Sequence, residues 1–121
     1  MAIKSARMRQ GTTGVLEVTL EGQAVQNATV YVTIDQNDIQ LTKSNYRDNP
    51  AVTMEPVFDE YEQQIATDIT VIYSQAETLA LRPGHGRIQV RWIFEDGTAD
   101  GSEQGRIAIP EALFKGIIVY G

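Results

Sequence analysis

The sequence contains no cysteine and only one histidine among its 121 residues. Without cysteine the chain has no disulfide, no thiol nucleophile and no thiolate ligand for a metal. A single histidine, His85, also excludes a metal site built from several histidines. The absence of cysteine fits a protein made in a reducing compartment, or a particle assembled in one.

Long apolar runs and clusters of basic residues are also missing. No stretch approaches the ~20 apolar residues that a membrane-spanning helix needs. No apolar run follows the basic residues Lys4, Arg7 and Arg9, so we expect no signal peptide. The net charge of −6 and the singly scattered Lys and Arg residues argue against nucleic acid or an anionic membrane as a partner.

What the sequence has in quantity is the alternation of apolar and polar residues that half-buried strands show. The alternating runs are residues 14–21, 29–35, 39–42, 68–73, 88–95, 106–109 and 116–120. We interpret the first two runs as a hairpin with one buried face, and the last two as closing strands. Many short strands separated by turn residues predict one all-β domain over residues 1–121, an Ig-like antiparallel β-sandwich.

Two short helical turns are expected between these strands. The segment Ser74–Glu77 has the form of a capping box, in which the Ser and Glu side chains each bond a free backbone N–H. The segment Pro110–Phe114 has proline at a plausible first helical position and an acidic residue behind it.

Residues 44–64 lack clean alternation, and we interpret them as an irregular acidic excursion with an edge strand near residues 51–54. A solvated or partner-facing loop is the main interpretation; a cation site and a paired-carboxylate active site are the alternatives. The candidate partner-binding residues of this excursion are Glu55, Phe58, Asp59, Glu60, Tyr61 and Glu62.

Three apolar residues occupy the nominally polar faces of their strands. Tyr31, Ile72 and Ile93 alternate out of phase with the predicted core residues, so we expect a partner to cover them. Trp92 and Phe94 share the core phase and are predicted to be buried.

Two segments resemble chemical sites without meeting their requirements. His85 lies between two glycines and is predicted to be an exposed turn residue rather than a catalytic base. Residues 96–103 resemble the start of a calcium loop, but Ile107 stands where that loop needs a bidentate Glu. The Asp96-Gly97 pair indicates a hairpin turn instead.

Two stretches resemble small β-sandwich modules of tailed-bacteriophage structural proteins, such as baseplate upper proteins and the N-terminal domains of tail or head fibres. The first is residues 8–13, which lead into a strand. The second is residues 69–79, Pro83-Gly84 and 88–92, continuing through Asp96-Gly97 to residues 110–118. The resemblance implies assembly with copies of the chain and with other virion proteins, a location in the virion after synthesis in the host cytoplasm, and no catalytic residues.

The sequence therefore predicts a phage or prophage structural protein with no cofactor, no metal and no enzymatic activity. An Ig-like or carbohydrate-binding module of a bacterial protein is the first alternative. A small enzyme using carboxylates, with or without calcium, is the second, and it requires acids such as Asp59, Glu60 and Glu62 to converge.

Overall fold

A computed structural model describes all residues, 1–121, and contains nine strands, one short α-helix and one 3₁₀ turn. The strands are β1 (Ala2–Arg7), β2 (Gly14–Glu21), β3 (Thr29–Asp35), β4 (Gln40–Ser44), β5 (Val52–Phe58), β6 (Gln64–Tyr73), β7 (Gly84–Ile93), β8 (Ala99–Gly101) and β9 (Gly105–Ile109). The 3₁₀ turn is Tyr46–Asp48, and the helix α1 is Gln75–Ala80.

The strands form two antiparallel sheets. The first has the order β1-β2-β6-β5, and the second has the order β4-β3-β7. Strand β7 is long enough to pair with two short strands, β9 along Gly84–Ile88 and β8 along Arg91–Ile93. This arrangement confirms the predicted all-β antiparallel sandwich.

One apolar core lies between the sheets, and strand alternation builds it. In β2 the side chains of Leu16, Val18 and Leu20 are buried, while the residues between them are only half-buried. In the other long strands the same alternation places further β-branched side chains between the two sheets, as expected of strands with one buried face. The 19-residue cluster also includes Tyr73 and Trp92, so the burial predicted for Trp92 is confirmed. Phe94 is partly buried against the same cluster.

The sequence signals for two local elements are confirmed. The Ser74 hydroxyl accepts the backbone N–H of Glu77, and the Glu77 carboxylate accepts the backbone N–H of Ser74, which is the capping box of α1. The Asp96-Gly97 turn joins β7 to β8, with Gly97 at a φ of 89° that favours glycine.

The hairpin predicted between residues 14–21 and 29–35 is wrong. Strand β2 pairs with β1 and β6, whereas β3 pairs with β4 and β7 in the other sheet. The connection between β2 and β3 leads from one sheet to the other, and its residues Val25 and Ala28 are buried in the core. Alternation identifies a buried face but does not say which strand lies beside it.

The excursion at 44–64 is more ordered than predicted. The expected edge strand exists as β5 and is longer, and a tight turn joins it to β6, which already begins at Gln64. Alternation is weak in β5 because it is an edge strand, with Glu55 and Pro56 exposed and only Val52 fully buried.

Three smaller predictions also fail. Residues 110–114 form no helix and residues 116–120 form no strand. The backbone groups around 110–112 bond to Gln10 instead: the Pro110 carbonyl accepts the Gln10 N–H, and the Ala112 N–H donates to the Gln10 side chain. His85 is exposed as predicted, but it lies in β7 opposite Ala108 rather than in a turn.

Two isoleucines of β6 test the assignment of faces. Ile69 is fully buried and Ile72 is 39% exposed on the opposite face. We expect Ile69→Ala to lower the free energy of unfolding by about 2–5 kcal/mol, because it leaves a cavity in the core. Ile72→Ala should cost less than about 1 kcal/mol. Urea denaturation measures the free energy of unfolding of both variants, which can be compared if their m-values are equal. Equal losses of stability in the two variants would contradict the assignment of faces.

Candidate functional site

The sequence-predicted partner residues do not form one site; they lie in three separate places. Tyr31 and Ile93 share the outer face of the second sheet, because β3 and β7 are neighbours. Ile72 and Glu55 lie on the outer face of the first sheet, Ile72 opposite Val15 and Glu55 opposite Asp68. Phe58, Asp59, Glu60, Tyr61 and Glu62 lie at the β5–β6 turn.

The Tyr31 surface is a shallow apolar depression of about 280 Å³. Tyr31 and Ile93 are 37% and 40% exposed, and Ala99 of β8 extends the surface. Arg91 lines one side and lies opposite Tyr31 in the strand register. The depression offers contact area for an apolar side chain and holds no titratable group besides the Tyr31 phenol and the Arg91 guanidinium.

The β5–β6 turn is organised by the Asp59 side chain. Its carboxylate accepts the backbone N–H groups of Tyr61 and Gln63, at 2.8 and 3.0 Å. The Asp59 N–H in turn donates to the Gln63 carbonyl, and Glu62 adopts a φ of 62°. Asp59 therefore has a structural role in the turn. The same turn leaves the rings of Phe58 and Tyr61 56% and 76% exposed.

Glu55 belongs to a polar patch on the outer face of the first sheet. It lies opposite Asp68 in the register, and the Asp68 carboxylate is bonded by the Thr19 hydroxyl at 2.7 Å and by the Lys4 ammonium at 3.2 Å. The Thr19 hydrogen bond, and after it the Lys4 hydrogen bond and charge, lower the pKa of Asp68 despite partial desolvation. The patch neutralises one of its carboxylates internally.

A cluster at the end of the sandwich was not found from the sequence. The Lys43 ammonium lies 2.7 Å from the Glu77 carboxylate and 5.4 Å from the centre of the Tyr73 ring. Partial burial by itself would raise the pKa of Glu77, but the hydrogen bonds from Lys43 and Ser74 outweigh it and lower that pKa. Burial raises the pKa of Tyr73, whose hydroxyl has no hydrogen-bond partner.

The cluster holds the fold together more than it presents chemistry. The Lys43 ammonium lies over the buried ring of Tyr73, and the Glu77 carboxylate also completes the capping box of α1. No sequence spacing could have revealed it, because Lys43 and Glu77 are 34 residues apart. A signal was present only in Lys43 itself, a charged residue in the inward phase of β4.

The most exposed apolar surface is the segment of residues 113–120. Its large side chains and their exposed fractions are Leu113 95%, Phe114 66%, Ile117 48%, Ile118 63%, Val119 88% and Tyr120 107%. Side-chain hydrogen bonds hold the segment in place: the Lys115 ammonium donates to the side-chain oxygen Oε1 of Gln10, and the Gln75 side chain bonds the backbone of Ile118. The sequence pattern of residues 116–120 predicted a closing strand, and so did not identify them as an exposed apolar surface.

The structure contains no group of three or more His, Asp or Glu side chains placed to hold a metal ion. The only α-helix, α1, has six residues and is too short to cross a membrane.

Comparison of the chain with protein-family models, with curated protein sequences and with solved structures gives no match.

The Lys43–Glu77 pair makes stability depend on pH. The pKa of Glu77 is lower in the folded state than in the unfolded state, where it is about 4.3. The stabilisation that the Glu77 carboxylate gives is therefore fully present above about pH 4.3, and it is lost as the pH falls through the pKa of the folded state. Glu77→Gln keeps an acceptor for the cap and removes the charge. We expect this variant to be less stable by about 1 kcal/mol at neutral pH.

Chemical denaturation of wild type and Glu77→Gln between neutral pH and about pH 3 measures this effect. The stability advantage of wild type should shrink as pH falls. Glu60→Gln is the matched control, because Glu60 is exposed and makes no ion pair. A wild-type advantage over Glu77→Gln that stays constant across this range would show that the ion pair contributes nothing.

Proposed function

We propose that this chain is a structural protein of a tailed-bacteriophage particle, and that it acts by packing against copies of itself and neighbouring virion proteins. The phage part of the proposal rests on the resemblance of residues 8–13 and of several stretches between residues 69 and 118 to small phage β-sandwich modules. The assembly part rests on surface chemistry. The protein would be made in the cytoplasm of the host bacterium and reside in the virion.

The observation that carries the assembly part is the exposed apolar segment 113–120. Six large apolar side chains within eight residues are each about half exposed or more. Soluble monomers rarely leave a continuous apolar surface of this kind uncovered, because burial of such side chains is strongly favourable. A protein that remains in an assembly covers such a surface with its partner.

A second apolar surface supports the same role. Tyr31 and Ile93 lie on the outer face of the second sheet, where an isolated sandwich would place polar residues. Their depression is shallow, which suits a side chain of another protein better than an enclosed small molecule.

Mass spectrometry of purified particles tests the proposal. In particles of the phage or induced prophage that encodes this chain, we expect its peptides at an abundance comparable to the other structural proteins. The control is the same measurement on the cleared lysate after particle removal, where virion proteins should be depleted. Presence in the lysate together with absence from the particles would refute a virion role.

A carbohydrate-binding role is the second candidate, and the β5–β6 turn favours it. Phe58 and Tyr61 are exposed there beside carboxylates, and aromatic faces with nearby polar groups are a common way to bind sugar rings. Glycan-array binding that is lost in Tyr61→Ala would support this role. Tyr46→Ala is the matched control, because Tyr46 is an exposed tyrosine in a different segment, at 57%. No binding by the wild-type protein would exclude it.

A further inference from the structure

Residues 116–120 have the sequence of a strand but no strand partner in their own chain. Ile117, Ile118 and Val119 are β-branched and Tyr120 is aromatic, which are the residue types that pleated sheets favour. No backbone–backbone hydrogen bond joins residues 111–121 to any other part of the protein. The segment is therefore a strand-forming sequence whose backbone is unpaired.

The Gln75 side chain bonds one side of this segment and leaves the other side free. Its amide nitrogen donates to the Ile118 carbonyl at 2.8 Å, and its oxygen accepts the Ile118 N–H at 2.9 Å. One side-chain amide can bond both the N–H and the C=O of Ile118 only if these two groups point to the same side of the chain, as they do in extended backbone. In extended backbone the N–H and C=O of adjacent residues point to opposite sides. Those of Ile117 and Val119 therefore point away from Gln75.

Most sheet edges of the sandwich carry features that prevent strand addition. Strand β1 has a bulge between Ile3 and Ser5 and places Lys4 there. Strand β5 contains Glu55 and Pro56. Strand β8 has three residues, and β9 packs beside β1, with Met1 and Ile3 close to Gly105. Bulges, edge prolines, charges and short strands are the devices by which natural sheets avoid pairing with other chains.

Strand β4 has only one of these features, the inward-facing Lys43, whose charge is paired with Glu77 of the same chain. Its five residues contain no proline and no acid, and its pairing with β3 is regular from Gln40 to Ser44. The Gln36 N–H donates to the Ile39 carbonyl, and the Asn45 N–H donates to the Val30 carbonyl. By antiparallel alternation, Leu41 and Lys43 also bond to β3.

The backbone groups of Gln40, Thr42 and Ser44 therefore point outward and are free to pair. The surroundings of this edge match both faces of the segment. On the outer face, Ser44 lies opposite Tyr31, at the border of the apolar depression. On the inner face, the partly buried Leu41 packs against the core. An added strand would need apolar side chains on both faces, and residues 117–120 supply them, two on each.

We propose that residues 116–120 of one copy add as a strand to the β4 edge of a second copy. This inference deepens the proposed function and rests on its assembly part. Gln75 holds the segment in extended form, and the second copy's β4 supplies the hydrogen bonds that Ile117 and Val119 lack.

The apolar area is sufficient when two copies exchange segments reciprocally. Phe114 and Tyr120 are 66% and 107% exposed in the single chain. An aromatic side chain buries about 150–250 Å², so four rings contribute on the order of 600 Å². With the aliphatic side chains and the paired backbone, the total approaches the roughly 1,200 Å² of a stable interface.

The molar mass in solution, measured by light scattering at tens of micromolar, tests the proposal. We expect the wild-type chain to have at least twice its monomer mass of 13.4 kDa. Val119→Pro removes an outward N–H of the segment at a site that is 88% exposed, and Thr42→Pro removes an outward N–H of β4. Both variants should have the monomer mass. The matched controls Val119→Thr and Thr42→Val keep the N–H and should remain associated.

Mixing the two proline variants identifies the partner. Thr42→Pro retains an intact segment and Val119→Pro retains an intact β4, so an equimolar mixture can form one of the two exchanges. Because one exchange buries half of the area, we expect the mixture to have an average mass above that of either variant alone but below that of the wild-type assembly. A fold check by circular dichroism accompanies each variant, and Val119→Pro keeps the test decisive if Thr42→Pro unfolds.

Three results would overturn the proposal. These are a monomeric wild-type chain, association that survives in Val119→Pro, and a monomer whose Val119 amide is protected from hydrogen exchange only while Thr42 is intact. The last would show that the segment pairs with its own β4. None of these measurements involves particles, so the two proposals are tested separately. The virion role can fail in the particle experiment while strand addition holds, and strand addition can fail in solution while the virion role holds.

Discussion

The requirement that both sheets share one apolar core constrains everything else in this protein. Each long strand gives alternate side chains to the 19-residue cluster, and these positions are closed to any partner. What remains for function is the outer sheet faces, the unpaired edges and the segments that leave the sandwich. Only 26 of the 121 residues are buried, so most of the chain lies in these regions, and the exposed apolar residues clustered there are the informative ones.

Buried side-chain amides and hydroxyls determine how the connecting segments leave this core. Gln10 is 5% exposed and bonds the Leu81 carbonyl as well as residues of the 110–115 region. Gln36 bonds the backbone of Arg82 in both directions, and Thr67 bonds the loop at Gln23 and Val25. Because buried backbone groups need partners, these side chains replace ladder bonds that the loops cannot form.

The sequence predicts the fold class but not the strand pairing, and the reason is physical. Alternation in β2 and β3 reports that each has one buried face, which is a local property. Their placement in different sheets depends on the burial of Val25 and Ala28 in the connection, which no periodicity shows. Strand β5 was underestimated because an edge strand has few buried positions and tolerates Pro56.

The candidate surfaces could be predicted from the sequence only where they depend on local alternation. Tyr31, Ile72 and Ile93 break a period of two, so their outward placement is legible from sequence, and each is exposed. The Lys43–Glu77 contact depends on the packing of β4 against α1 and is invisible in a linear pattern. Residues 116–120 show that strand propensity and a strand partner are separate requirements, since the first is present and the second is absent within the chain.

Charge favours β4 and residues 113–120 over the acidic β5 edge as the surfaces of the proposed self-association. A net charge of −6 makes copies of this chain repel each other, and exposed charges interact over about 10 Å at 0.1 M salt. Neither β4 nor the 113–120 segment contains an acidic residue, and each contains one lysine. Lys43 is neutralised by Glu77, and Lys115 lies near Glu111 in the same copy. Two copies that meet here bring no carboxylates of these elements together, whereas contact through β5 would oppose Glu55 and the acidic β5–β6 turn.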